Sequence, residues 1–216
     1  MQREFDELFK RYPALQAMEE ALTAAADRME RSLLSGGKLL LCGNGGSCAD
    51  AQHMVGELMK GFLLPRALTA AQKQAFKKDG AQRGEKLAQC LQQGLPALDL
   101  AAHTALNTAF ANDCAPELCF AQQAFVLAKE HDVFFGISTS GNAENVLYAG
   151  AAARAKGACL IGLTGQNKCA MDGAFDLVLH VPAGRTFEIQ ELHLPVYHAL
   201  CAVLERRFFG GEAADE

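Results

Sequence analysis

No run of apolar residues in this chain approaches the length of a membrane span. The stretch from residue 1 to 12 carries Arg3, Glu4, Asp6, Glu7, Lys10 and Arg11, and lacks the apolar centre of a signal peptide. The expected location is therefore cytoplasmic. None of the eight cysteines forms a Cys-x-x-Cys pair, and several lie in apolar runs, so reduced and mostly buried thiols are expected. No long block of one charge sign appears. With a net charge of −5 and a pI near 5.7, direct nucleic-acid binding is not expected, because a phosphate backbone wants a basic face. The modest basic cluster Lys73, Lys77, Lys78, Arg83 and Lys86 is interrupted by Asp79 and Glu85 and reads as a solvated helix face. No internal repeat, low-complexity tract or linker divides the chain. Its 216 residues suit one domain, with an N-terminal helix at 2–34 and a core at about 35–208.

What is present alternates strands with helices. Phe5, Leu8, Phe9, Leu15, Met18, Leu22, Ala25, Met29 and Leu33 fall near helical spacing over 2–34, with Pro13 as a break and Gly36-Gly37 as the stop. That apolar stripe needs a cover, either a face of the sheet or an interface with another copy. Leu39 to Cys42 reads as a buried strand. Residues 65–95 read as a helical excursion, capped by Thr69 and broken between Gly80 and Gly84. Further strands are expected at 97–101, 132–137, 158–163 and 176–181. Helices are expected at 104–110, 116–130, 142–156 and 186–207, the last carrying Pro195 as an invitation to kink. This order predicts an α/β fold with a doubly wound parallel sheet.

Two loops stand out. Gly43-Asn44-Gly45-Gly46-Ser47 joins the first strand to a helix N-terminus, where backbone N–H groups gather around an anion. Ser138-Thr139-Ser140-Gly141-Asn142 does the same after the strand at 132–137. One N-cap would explain one of those side chains, but three hydroxyls and an asparagine suit a phosphate better. In a parallel sheet both loops reach the same edge and can face one crevice. A nucleotide cofactor is not expected. There is no G-x-x-x-x-G-K-[ST], Cys48 takes the last glycine position of a dinucleotide fingerprint, and residues 63–69 hold no acid. His53 and Glu57, four apart on one helix face, can share a metal or a proton, or form a plain surface pair. His180 within a strand and His193 between two leucines read as structural.

CGNGGSCADAQH with Glu57, then GISTSGN, then IQELHLPVYH resembles the SIS (sugar isomerase) domain family and, within it, the phosphoheptose isomerase group. The three motifs stand in the family's order across most of residues 30–208. The resemblance implies a flavodoxin-like five-stranded parallel sheet, a homotetramer, and interconversion of sedoheptulose 7-phosphate with a heptose 7-phosphate. By position, Asn44, Gly45, Ser47, Ser138, Thr139, Ser140 and Asn142 would hold the phosphate and sugar hydroxyls. His53, Glu57, Gln190 and His198 resemble the family's zinc site, with Glu57 and His198 also matching its acid/base pair. Gln190 and His198 lie eight apart, ~12 Å along one helix. One ion would therefore take both only from different subunits, or if Gln190 lay at a frayed helix start.

Several positions depart from the family. His103 stands where an aspartate is usual and falls by position among the substrate-binding residues. Ala143 replaces a serine, Glu188 an arginine, and the excursion at 65–95 is long. Two alternatives stay open: another phosphosugar isomerase or lyase, and a non-catalytic phosphosugar-binding or regulatory protein. A branch of the family that binds the bacterial replication initiator lacks the equivalents of Glu57 and His198, and both are present here.

Overall fold

The runs LLLC and VFFGI contain no polar alternation, as expected of strands covered on both faces of a parallel sheet. In the computed structural model, which describes residues 3–211, they form β1 (Leu39–Cys42) and β3 (Val133–Ile137), buried at every position. The expected helix start at residue 2 lies outside the described residues. β2 (Ala97–Asp99), β4 (Cys159–Thr164) and β5 (Leu177–His180) complete the five-stranded sheet, in the order β2-β1-β3-β4-β5 with every pair parallel. β2 is shorter than expected. Asp99 turns its carboxylate onto the N–H of Ala101 at 3.0 Å, a local bond that competes with the ladder and ends the strand.

Pro13 cannot donate a helical hydrogen bond. The chain accordingly leaves α1 (Arg3–Arg11), passes through a 3-10 helix at Pro13–Met18, and re-enters α2 (Glu19–Leu34). The stripe Phe5, Leu8, Phe9, Leu22 and Met29 is buried within this chain, in one cluster with the sheet residues Leu39, Leu41 and Phe135. A face of the sheet is thus the cover it required. At about 1.5–3 kcal/mol for each fully buried large apolar side chain, this helical pair is part of the core.

α3 (Gly46–Met59) and α10 (Thr186–Phe209) lie on that same face. α7 (Cys119–Leu127), α8 (Glu144–Arg154) and the short α9 (Met171–Ala174) cover the other. α4 (Ala70–Ala75) and α5 (Ala81–Cys90) form the excursion, and Thr69 caps α4 in a reciprocal box with Gln72. α6 (Thr104–Asp113) buries none of its residues. α7 follows a 3-10 turn at Pro116–Leu118 and stops short of residue 130. α8 starts at Glu144 rather than 142, because the Asn142 side chain is engaged outside the helix, accepting the N–H of Ala170 at 2.8 Å. α10 runs through Pro195 as one helix, with the proline ring buried. No helix of the described residues is long and apolar enough to cross a membrane.

The strand order reverses between β1 and β3. The loops that follow these two strands therefore part to opposite faces and leave a crevice at their C-terminal ends. Both glycine- and hydroxyl-bearing loops of the sequence lie there.

Candidate active site

The loop after β1 and the loop after β3 are tied by a reciprocal amide pair. Asn44 Nδ2 donates to Asn145 Oδ1 at 2.9 Å, and Asn145 Nδ2 donates to Asn44 Oδ1 at 2.8 Å. Ser47, one residue into α3, is buried, and Asn44 and Gly45 are exposed beside it. In the second loop Ser138 is buried and its Oγ lies 3.5 Å from that of Ser140, which accepts the Asn142 N–H at 3.2 Å. Thr139, Ser140 and Asn142 line a cavity of about 360 Å³ shared with Lys168 and Thr186. Hydroxyls, an amide and one ammonium around such a space are suited to a small anion.

The second cluster sits where α3 packs on α10. His53 Nε2 lies 3.1 Å from Glu57 Oε1 and 3.4 Å from His198 Nε2, and the two imidazole rings meet edge to face with centroids 4.8 Å apart. One ligand atom from each of His53, Glu57 and His198 falls within 4.8 Å of the others. Glu57 Oε2 is buried with no hydrogen-bond partner. Behind His53, Nδ1 meets the Tyr197 hydroxyl at 2.9 Å. Burial first, then the neighbouring Asp50 carboxylate, holds the Tyr197 phenol far above its usual range, so it keeps its proton. The nearby Asp50 carboxyl is itself raised by burial. When the phenol oxygen accepts His53 Nδ1–H, the Nε2 lone pair faces Glu57 and His198, the tautomer a metal ligand requires. Burial, followed by repulsion from His53, lowers the pKa of His198, so it too presents a neutral ring.

Lys60 Nζ approaches Glu57 Oε2 only to 3.9 Å, and the three donors His53, Glu57 and His198 fit a zinc ion in ligand type and spacing. Gln190 is placed elsewhere. It lies inside α10, not at a frayed start, and its amide rests on the first loop: a Cβ at Gly46 would stand 2.3 Å from Gln190 Nε2. His103 precedes α6 without capping it, its Nδ1 lying 2.6 Å from Gln123 Oε1, and is not among the residues lining the hydroxyl-rich cavity. The thiols beside the first loop are unsuited to nucleophilic work. Burial raises the pKa of Cys42 and Cys48, and Asp99 raises both further.

A buried ion pair fixes the far end of α3. Arg66 Nε meets Glu205 Oε1 at 2.8 Å, with both side chains fully buried. Arg66 also donates to the carbonyls of Leu58 at 2.5 Å and Glu57 at 2.9 Å, while Glu205 accepts the N–H groups of Phe62, Leu63 and Leu64. A guanidinium on the last carbonyls of a helix satisfies groups that have no partner within it and complements its dipole. Sequence reading missed this pair, along with Tyr197, Asp50, Asn145 and Lys168. Asp50 stands three residues before His53, so helical spacing offered a cue for it, whereas Tyr197, next to His198 in sequence, had none. No local pattern links Arg66 to Glu205.

Comparison with known proteins agrees with this layout. Residues 4–93 match the SIS domain family. The chain is 39% identical over 185 residues to the phosphoheptose isomerase of Helicobacter hepaticus, covering 86% of this chain and 81% of that one. It is 35% identical over 204 residues to that of Shewanella denitrificans, covering 93% and 91%. Among solved structures, phosphoheptose isomerase from Neisseria gonorrhoeae superimposes with a TM-score of 0.72 at 32% identity, covering 93% of this chain and 94% of that one. The enzyme from Francisella tularensis gives 0.73 at 29% identity, covering 94% of each.

Proposed function

The chain belongs to the phosphoheptose isomerase family, and from that premise we propose that it interconverts sedoheptulose 7-phosphate and the corresponding aldoheptose 7-phosphate through an enediol. The observation that carries the proposal is the convergence of His53, Glu57 and His198 in one cluster on α3 and α10. His53 lies seven residues beyond Gly46, ~10 Å along α3. That separation suits a substrate whose phosphate is several carbons from its reacting carbonyl.

Ser138, Thr139, Ser140 and Asn142, with Asn44, Gly45 and Ser47 opposite, bind the phosphate and adjacent hydroxyls. Glu57 takes a proton from C1 of the ketose and returns it to C2. His198, neutral because burial disfavours its charged form, carries the hydroxyl proton from O1 to O2, so the aldehyde forms at C1 with no net change in protons. His53 and Glu57, with His198, would hold a zinc ion, and the chemistry it would supply is polarisation of the substrate carbonyl. Gln190 would complete the ligand set from a neighbouring copy in a homotetramer. The cysteines are free, which suits a cytoplasmic enzyme.

The test is an isomerase assay on sedoheptulose 7-phosphate, with zinc and after chelation. Turnover that falls on chelation and returns with zinc is expected, and Glu57→Gln should abolish it while phosphosugar binding remains measurable by calorimetry. Binding without turnover in the zinc-loaded protein would overturn the catalytic reading in favour of a binding protein.

A further inference from the structure

A second group of metal-ligating side chains lies apart from the His53 cluster. Cys169 in the loop after β4, Asp172 in α9 and His180 at the end of β5 bring one sulfur, one oxygen and one nitrogen to within 4.8 Å of one another. His180 Nδ1 is 2.7 Å from the carbonyl oxygen of Gly165, an atom that can only accept, so Nδ1 carries the proton. Its other nitrogen, Nε2, then faces Asp172 Oδ1 at 2.7 Å. A lone pair opposed to a carboxylate oxygen at that distance requires a cation between or beside them, either a proton or a metal ion. The sulfur of Cys169 within reach of this pair points to the metal: it adds nothing to a protonated imidazole–carboxylate pair, but on giving up its proton to an ion it becomes a strong ligand for zinc. The carbonyl holding Nδ1–H is the outer partner that orients ligating histidines.

The group is only partly exposed, with His180 and Asp172 at 30% and 33% side-chain accessibility. Asp172 is further oriented by accepting the Cys169 N–H at 2.9 Å. Lys168 also faces Asp172, and a Cys169 sulfur that loses its proton on binding an ion would, with the carboxylate, offset that charge. With metal–ligand bonds of about 2.0–2.3 Å, tetrahedral ligands stand ~3.4 Å apart. Admitting the ion therefore moves His180 from Asp172 by less than ~1 Å.

We propose that Cys169, Asp172 and His180 form a second, zinc-type metal site, distinct from the His53 cluster. Its place in the fold gives it a structural consequence. Gly141, held at φ +65°, has no Cβ, and a Cβ there would lie 2.2 Å from Cys169 Sγ. The Ala170 N–H is bonded to Asn142, and the Met171 N–H to the Gly141 carbonyl. A metal on Cys169 thus anchors the segment on which the Ser138–Asn142 loop rests.

The test separates the two sites by their ligands, since the His53 cluster contains no sulfur. Apo protein, full chain and reduced, is titrated with Co²⁺ and the near-ultraviolet thiolate-to-cobalt charge-transfer band is followed. The band is expected in the wild type and in His53→Ala, and lost in Cys169→Ser and in His180→Gln. Zinc should raise the thermal midpoint of His53→Ala, and this rise should be absent from His53→Ala/Cys169→Ser. Absence of the band from the wild type, its persistence in Cys169→Ser, or no zinc-dependent rise in His53→Ala would each overturn the proposal. None of these outcomes bears on turnover at the His53 cluster.

Discussion

At His193 the chain buries an imidazole completely, and neither ring nitrogen has a hydrogen-bond partner. Burial pushes its pKa down to about 4 from 6.5; the nearby Thr164 backbone acts weakly the other way without making a bond of ordinary geometry. The folded state keeps the ring neutral where the unfolded chain protonates it. Between about pH 6.5 and 4 the unfolded state thus binds more protons, and stability falls as pH is lowered through that window. Urea unfolding at pH 7.5 and 4.5 should show the wild type losing roughly 2–3 kcal/mol more than His193→Leu, and equal losses would refute the assignment. In the loop after β3, Ser138→Ala with Ser140→Ala removes two hydroxyls without touching the strand. Phosphosugar affinity should fall by roughly tenfold or more, about 1–1.5 kcal/mol for each lost hydrogen bond. An unchanged dissociation constant in calorimetry would sink the cradle.

At the scale of elements, α3 links the two parts of the site. Its N-terminus faces the Ser138–Asn142 loop, and its C-terminal carbonyls at Glu57 and Leu58 are held by Arg66, which Glu205 on α10 holds in turn. The pair therefore holds the backbone at Glu57. Arg66→Met leaves Glu205 buried without its cation and should cost about 3–5 kcal/mol in chemical denaturation. If the role extends to catalysis, kcat should fall in the folded variant while KM for the phosphosugar changes little. A variant destabilised to that extent with wild-type kcat would reduce the pair to a structural one.

For the whole molecule, one chain gathers His53, Glu57 and His198 but leaves Gln190 against Gly46. With Gln190 and His198 ~12 Å apart along one continuous helix, a site that counts Gln190 as its fourth ligand takes it from a second copy. If such an assembly forms, a variant held monomeric by charge substitutions on its exposed faces should bind zinc more weakly than the assembly, and Gln190→Ala should reproduce that loss within it. Full zinc affinity in the monomer, measured after separation by size, would remove the argument for a shared site.

The elements were legible because strand and helix formation depends on neighbours a few residues away. The runs LLLC and VFFGI, the hydroxyl loop after VFFGI, the Thr69 cap and the Pro13 break all carry their signal within one short window. His53 and Glu57 were paired for the same reason, by one turn of helix. Asp99 escaped that reading because a single side-chain bond to Ala101 ended its strand early. Tertiary structure alone decided which distant side chains meet. Asn44 finds Asn145, Arg66 finds Glu205 and Cys169 reaches His180 because the order β2-β1-β3-β4-β5 and the packing of α10 on α3 bring them together. No local preference encodes that order. It follows from burying both faces of the whole sheet at once, which no single segment can do.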